Sequence, residues 1–341
     1  MSRPRQGPGV PSSSHPAATV RPVFRGAIRL AGQLLQFDGF SEGGVTFVSH
    51  AHVPIPRDAG QLITSDLTAR LLGPRAARSL VTPYGRRFSL GELELRLLPT
   101  GHVPGSAALE VRFRRRTFTY AGDVGSYGEF FGIPAAAPEP CHELVLASTY
   151  GRSRYAFPAP KAVLARICEF CRQAAAQGCT PVLLCHPLGK AQALTTLLHE
   201  AGFTTRLHRS MHRSLKPLRE LGVRVGPARR FDGRVLSGEV LLWPIRLWDA
   251  PALRSLPQLR RGLVSGRAVE PSAVAGHGCE AGFPLSDLAD RARLLKYVAA
   301  ANPRRVYLIP GQEEGIDRAL ARRGIEVRLL GPPTQLQLFG G

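Results

Sequence analysis

The chain predicts a two-part α/β protein, on three observations. Residues 23–132 read as short strands joined by turns, and from about residue 143 the rhythm becomes strand, helix, strand. With 44% hydrophobic residues over 341, the chain can bury a sizeable core. No apolar run approaches the roughly 20 residues that cross a bilayer. The N-terminus lacks the apolar region of a secretory leader, so a cytoplasmic location is expected.

Taken in order, residues 1–22 are rich in Pro, Ser, Arg and Gly without an acid, the composition of a disordered basic tail. Residues 24–35 read as strands. Residues 45–49 read as a buried one, with Val45, Phe47 and Val48 apolar. Residues 65–72 predict a short helix capped by Thr64 or Ser65. Residues 92–98 alternate apolar and charged side chains, and 109–113 with 117–120 predict a hairpin around the arginines 114–116. The next strands are expected at 144–147, 181–185, 205–208, 238–243 and 260–265, with helices at 161–176 and 190–200 between them. That alternation calls for a largely parallel sheet. A helix over 285–300, a buried strand at 305–309, a helix at 316–323 and a strand at 326–330 end the chain.

Three strand ends carry side chains that bind metals. The first opens Ser49-His50-Ala51-His52 and is closed off by Pro54 and Pro56, so two imidazoles two residues apart can aim at one point. The second places His102 in a Gly-rich loop, and the third leaves Asp123 at a strand end. Lys and Arg outnumber Asp and Glu by 45 to 25, a net charge of +20, which favours a polyanionic partner, with nucleic acid first. Among the six cysteines only Cys168 and Cys171 have ligand-like spacing, and they sit in a helical pattern without a second pair. Reduced, mostly buried thiols are expected.

These loops together resemble the metallo-β-lactamase fold, and more closely its nucleic-acid-processing branch with an inserted β-CASP domain. The nearest type is the small bacterial ligase-associated DNA exonuclease-like proteins. The resemblance runs from about residue 24 to the C-terminus. It is carried by Phe-Val-Ser-His-Ala-His at 47–52, Thr-Gly-His-Val-Pro-Gly-Ser-Ala at 100–107, Tyr-Ala-Gly-Asp at 120–123 and Ser-Thr-Tyr-Gly at 148–151. Leu-Gly-Lys-Ala-Gln at 188–192, Val-Ser-Gly-Arg-Ala at 264–268 and Gly-Phe-Pro-Leu-Ser-Asp at 282–287 follow in the family's order. The resemblance implies an αββα sandwich formed by residues 23–150 and 280–341, with a β-CASP-like α/β domain over 151–279.

Active members hold two metal ions, usually zinc, and their first motif is His-x-His-x-Asp-His. The resemblance gives His50, His52, His102 and Asp123 as the ligands of the first ion. The motif's Asp and last His fall on Pro54 and Ile55, which bind no metal. Ala147 stands where active members have an acid, Leu288 where they have a histidine in Ser-Asp-His-Ala-Asp, and Pro310 where they have the His of a His-Gly pair. A degenerate member is therefore implied: one zinc at most, or a metal-free relic cavity, and little or no hydrolysis, since two-metal cleavage needs both ions. Asp123 is the catalytic candidate if activity persists. Asp58, Asp287, Asp290, His186 and Cys185 are candidate substitutes for the lost ligands. Lys190, in a loop opening a helix, is a candidate phosphate contact, with an ordinary exposed lysine as the alternative. Arg152 and Arg154, with Arg86, Arg87 and 114–116, are candidates for a nucleic-acid groove. DNA or RNA, and a DNA ligase or other repair and processing proteins, are the partners this implies, with a mononuclear zinc exonuclease as the alternative function.

Overall fold

The computed structural model describes residues 22–23, 27–30, 33–39, 44–56, 59–125, 128, 130, 132–311 and 314–330. The expected tail at 1–22 lies outside them except for Pro22, which begins the first strand.

Three sheets build the fold. The first runs in sequence order through β1 (Pro22–Val23), β2 (Ala27–Leu30), β3 (Gln33–Phe37), β4 (Val45–Phe47), β5 (Gln61–Thr64) and β6 (Ser79–Val81). Its early strands pair antiparallel and β3 to β6 parallel. Helix α1 (Asp66–Leu72) is inserted after β5, where the Ser65 hydroxyl accepts the Thr68 N–H as the N-cap and Asp66 sits in the first turn. The second sheet starts as an antiparallel meander of β7 (Arg87–Leu90), β8 (Leu93–Pro99), β9 (Ala107–Phe113) and β10 (Arg116–Gly122), with β11 (Glu143–Ala147) added parallel to β10.

The chain then leaves to build the third sheet. Strands β12 (Thr180–Cys185), β13 (Thr204–Leu207), β14 (Arg229–Arg230), β15 (Glu239–Pro244), β16 (Leu259–Val264) and β17 (Ala281–Phe283) pair in parallel throughout, in the order β14-β13-β15-β12-β16-β17. Helices α2 (Pro160–Ala176), α3 (Lys190–Glu200), α4 (Arg209–His212), α5 (Leu215–Glu220), α6 (Pro251–Arg254) and α7 (Pro271–Gly276) are interleaved with them. After β17 the chain returns through α8 (Arg291–Ala301), β18 (Arg305–Ile309), α9 (Ile316–Ala321) and β19 (Glu326–Leu329). The two strands join the second sheet beside β11.

Burial shows how the layers stack. Leu35, Phe37, Phe47 and Ile63 of the first sheet pack against Leu95, Leu97, Leu109, Val111 and Tyr120 of the second. The other face of the second sheet, through Leu144, Leu146, Val306 and Leu308, packs on Leu294, Tyr297 and Val298 of α8 and on Ile316 and Leu320 of α9. This mixed α/β arrangement is consistent with a metallo-β-lactamase sandwich. The third sheet buries one face under α2 and α3, with Ile167, Cys171, Leu194 and Leu198 against Leu183 and Leu242. Its other face holds Val182, Leu184, Leu241, Trp243 and Leu263. Strands buried on both faces read as continuous apolar runs, as 181–185 does. All six cysteines are free thiols, four of them buried. Among the described residues no helix is long and apolar enough to cross a membrane.

One expectation needs correction. The helix predicted over 285–300 starts only at Arg291, because the Asp290 carboxylate caps it by accepting the Arg293 N–H. Residues 285–289 are thereby left as loop, and apolar spacing alone does not reveal that cap. Of the strands predicted over 24–35, residues 24–26 and 31–32 lie outside the described residues, and the rest form β2 and β3, which pair with each other antiparallel and carry the second strand on to Phe37.

Candidate metal centre

The loops after β4 and β8 bring three histidines together, and the loop after β10 sets Asp123 beside them. The ring centres of His50 and His102 lie 4.9 Å apart, those of His50 and His52 5.2 Å, and those of His52 and His102 5.6 Å. One ligand atom from each of the three falls within 4.8 Å of the others. Asp123 Oδ2 lies 3.9 Å from His50 Nε2. Two metal–nitrogen bonds of about 2.0–2.1 Å at a tetrahedral angle separate donors by about 3.3 Å. The three histidines could therefore hold one metal ion, with Asp123 next to His50.

His50 and His102 are oriented from behind. The single hydroxyl proton of Ser49 is directed to Asp38 Oδ2 at 2.6 Å, and the Ser49 N–H donates to Oδ1 at 2.7 Å. Ser49 Oγ, 2.7 Å from His50 Nδ1, is then left to accept, so Nδ1 carries the proton and Nε2 faces the site. Tyr120 donates to the same Asp38 carboxylate at 2.9 Å. His102 Nδ1 lies 3.4 Å from the Asp287 carbonyl, and Leu188 shares the cavity wall with His52. Carbonyl and carboxylate partners of this kind fix the tautomer of metal-binding histidines. The loop of His102 is itself pinned: Ser106 Oγ accepts the N–H groups of His102 and Val103, and the Gly105 carbonyl accepts from Ser65 and Thr68. Gly105 has φ +84, and a Cβ there would lie 2.7 Å from Thr68 Oγ1, so the turn requires glycine.

Electrostatics keep these rings unprotonated. Burial, reinforced by the neighbouring imidazoles, lowers the pKa of His50 to about 3; burial lowers that of His102 to about 4 and that of His52 below its usual range. Neutral imidazole is the form that binds metal. Burial raises Asp123 and takes Asp38 up to about 6.

These side chains line a cavity of about 880 Å³ shared with Tyr150, His186, Lys190, Asp287 and Leu288. Two positions where the resemblance expects second-ion donors are packed with apolar side chains. Ile55 is 5% exposed and packs with Val48, Val53 and Leu62. Leu288 packs against Tyr150, Tyr155 and Phe157. The candidate substitutes divide. Asp58 lies outside the described residues. Asp290 is occupied as a helix cap and by the Phe157 N–H, and Cys185 is buried beneath β12's end. His186 and Asp287 do line the cavity, with the His186 ring 6.3 Å from that of His52. Among the described residues the metal-binding group nevertheless contains only the three first-ion histidines.

Lys190 is not the exposed lysine of the alternative reading. It is 2% exposed and lies 3.3 Å from Asp287 Oδ1. Burial acts to raise the Asp287 pKa, but the Lys190 ammonium and the nearby imidazoles hold it below the usual carboxylate range. Arg152 and Arg154 do not line the cavity; they pair with Glu314 and Glu270 at 3.2 and 3.8 Å. The arginines that line it are Arg75, Arg213 and Arg246, and none of them makes an ion pair with a described carboxylate. Sequence reasoning missed these three, since nothing local distinguishes them from other arginines. It also missed Asp38, for which the signal was an acid closing a buried strand, as at Asp123.

No family model matches the chain. Over 298 residues the chain is 32% identical to a protein of Opitutus terrae named "Probable DNA ligase", a match that covers 86% of this chain and 29% of that protein. Over 69 residues it is 41% identical to a ribonuclease of Thermus thermophilus, covering 20% of this chain and 16% of the ribonuclease. This chain is therefore related to a segment of a ligase-named protein and, more weakly, to a ribonuclease, and it spans less than a third of the former's length. The three-histidine cluster fits a metallo-β-lactamase metal site.

Proposed function

We propose that this protein is a nucleic-acid-binding member of the β-CASP metallo-β-lactamase nucleases, with the third sheet as its β-CASP-like domain over about 151–279. Its ligand set serves one zinc ion, and it acts as a non-catalytic or weakly active subunit in DNA repair or RNA processing. The carrying observation is that three imidazoles converge, with Asp123 beside His50, while Ile55 and Leu288, at positions where the resemblance expects second-ion donors, are packed with apolar side chains. An ion held by His50, His52, His102 and Asp123 would supply Lewis acidity toward a phosphate oxygen or a bound water. Four protein donors complete a tetrahedron, however, and a completed tetrahedron is structural. The resemblance puts Leu288 where active members have a histidine, whose proton transfer would contribute roughly 10²- to 10⁴-fold.

The polyanion affinity follows from the net charge of +20 and from Arg75, Arg213 and Arg246 at the cavity, which have no described carboxylate to neutralise them. The ligase-named relative suggests a DNA ligase as the working partner. Labelled single-stranded DNA and RNA, titrated at several salt concentrations and incubated with zinc or manganese, test the proposal. Salt-sensitive binding with no more than one ion per chain and no turnover is expected. Metal-dependent cleavage abolished by His102→Ala would overturn the inactive reading.

That outcome defines a second reading, a mononuclear zinc exonuclease. One observation favours it: Asp123, with its side chain 29% exposed, and the exposed His52 leave the site open to water.

A further inference from the structure

Two of the three histidines meet groups from outside the loops that carry them. His52 shares the cavity wall with Leu188, which lies between β12 and α3 in the segment that builds the third sheet. His102 Nδ1 faces the carbonyl of Asp287 at 3.4 Å, in the loop returning from that segment. The Asp287 carboxylate is 3.3 Å from Lys190 Nζ, and both residues are buried, at 6% and 2% exposed. Gly189 closes the arrangement. Its φ is +82, and a Cβ on it would lie 2.6 Å from Val103 Cγ1, next to His102. The 186–190 loop thus rests directly on the 100–105 loop.

From this geometry we infer that Lys190 is a positioning residue for the metal site. Through Asp287 it orients His102, and together with Leu188 it makes metal occupancy a clasp that holds the inserted segment against the sandwich. A buried lysine facing a single buried carboxylate has a structural use in this arrangement, because removing either partner leaves an uncompensated charge. That charge would shift the backbone whose carbonyl orients His102. Outer partners of this kind set metal affinity by roughly 10- to 100-fold. The inference rests on the one-ion reading above, and the two fail differently.

The test uses the full chain and its Lys190→Met, Asp287→Asn and Gly189→Ala variants, each kept well below its own melting temperature. Zinc affinity is measured by competition with a chromophoric chelator, the cobalt-loaded absorption spectrum is recorded, and amide exchange is followed with and without zinc. Expected are a roughly 10- to 100-fold loss of zinc affinity and an altered cobalt spectrum in the folded variants. Zinc should also slow exchange at 186–190 in the wild type but not in Lys190→Met. A role confined to stability would lower the melting temperature and leave the affinity of the folded protein unchanged. Zinc bound equally by wild type and by the folded Asp287→Asn and Gly189→Ala proteins removes the clasp and leaves the one-ion reading intact. No ion bound by the wild type removes both.

Discussion

The two walls of the cavity differ in what stands behind them. On the first, groups behind the rings orient His50 and His102: Asp38 through Ser49, and the Asp287 carbonyl. On the second, at positions where the resemblance leads one to expect donors, stand Pro54, Ile55, Leu288 and Pro310, and Ile55 and Leu288 are packed into apolar clusters. The difference teaches that the second wall is not a site with pieces missing. Its replacements have become part of the packing, whereas an orienting shell around neutral imidazoles persists on the first wall.

The largest effects should come from the first wall. His50→Ala or His102→Ala should weaken zinc binding by more than about 100-fold, beyond the loss expected for an outer partner. Leu288→Ala should leave zinc binding unchanged. Equilibrium dialysis against zinc buffers measures both, and equal losses in all three would erase the distinction between the walls.

The second wall should respond in stability instead. Ile55→His removes a buried aliphatic side chain and places an imidazole among Val48, Val53 and Leu62. Lost packing and a buried polar group together should cost about 2–4 kcal/mol, read from urea unfolding of the metal-free protein. If Pro54→Asp, Ile55→His and Leu288→His combined gave two ions per chain with undiminished stability, the hydrocarbon wall would be a reversible substitution rather than a packed core.

Acid should test the first wall's burial. An imidazole with an ordinary pKa of 6.5 that is held at about 3 for His50, and about 4 for His102 and His186, binds its proton more readily unfolded than folded. Stability is then full above pH 6.5 and falls as the pH drops toward those lowered values. Asp38, raised from 3.8 to about 6, works with the opposite sign, its contribution being lost as pH rises through that window. Four lowered imidazoles, His52 among them, outweigh the raised carboxyls of Asp38 and Asp123, so the metal-free protein should melt lower at pH 4.5 than at pH 7. Replacing His102 by Asn should flatten the decline in thermal scans across pH. A melting temperature flat from pH 7 to 4.5 would mean the rings are more hydrated than the packing shows.

Much of the first wall was legible in the sequence, because its donors sit at strand ends and strand ends announce themselves. The buried runs at 45–49, 92–98 and 117–120 end in a turn or at a glycine just before or after the donor, so His50, His102 and Asp123 can each be placed at the end of a strand. The third sheet was legible from its strand–helix rhythm for the same reason. What could not be read was tertiary. That Lys190 is buried against Asp287 depends on two segments 97 positions apart in sequence meeting at the cavity. That Asp290 caps a helix rather than lining the cavity depends on where the apolar face of α8 docks. Arginine is the hardest case, because in a chain with a net charge of +20 the few side chains that face a cavity look like all the others.

The arginines also give the smallest expected effect and the sharpest separation of sequence from structure. Sequence reasoning favoured Arg152 and Arg154 for nucleic acid, but Glu314 and Glu270 pair with them away from the cavity. The structure places Arg75, Arg213 and Arg246 on the cavity wall without a described ion-pair partner. Each phosphate contact on a single strand contributes about 0.7 to the slope of log affinity against log salt. Arg75→Ala, Arg213→Ala and Arg246→Ala should therefore each reduce that slope by about this amount and weaken binding several-fold at low salt. Arg152→Ala and Arg154→Ala should leave it unchanged, because an arginine already neutralised by a carboxylate displaces few counterions from the strand. Fluorescence anisotropy of a labelled oligonucleotide across a salt series separates the two groups. If the slope falls only in the second group, the strand runs over the surface near Tyr155 and the cavity is not its binding site.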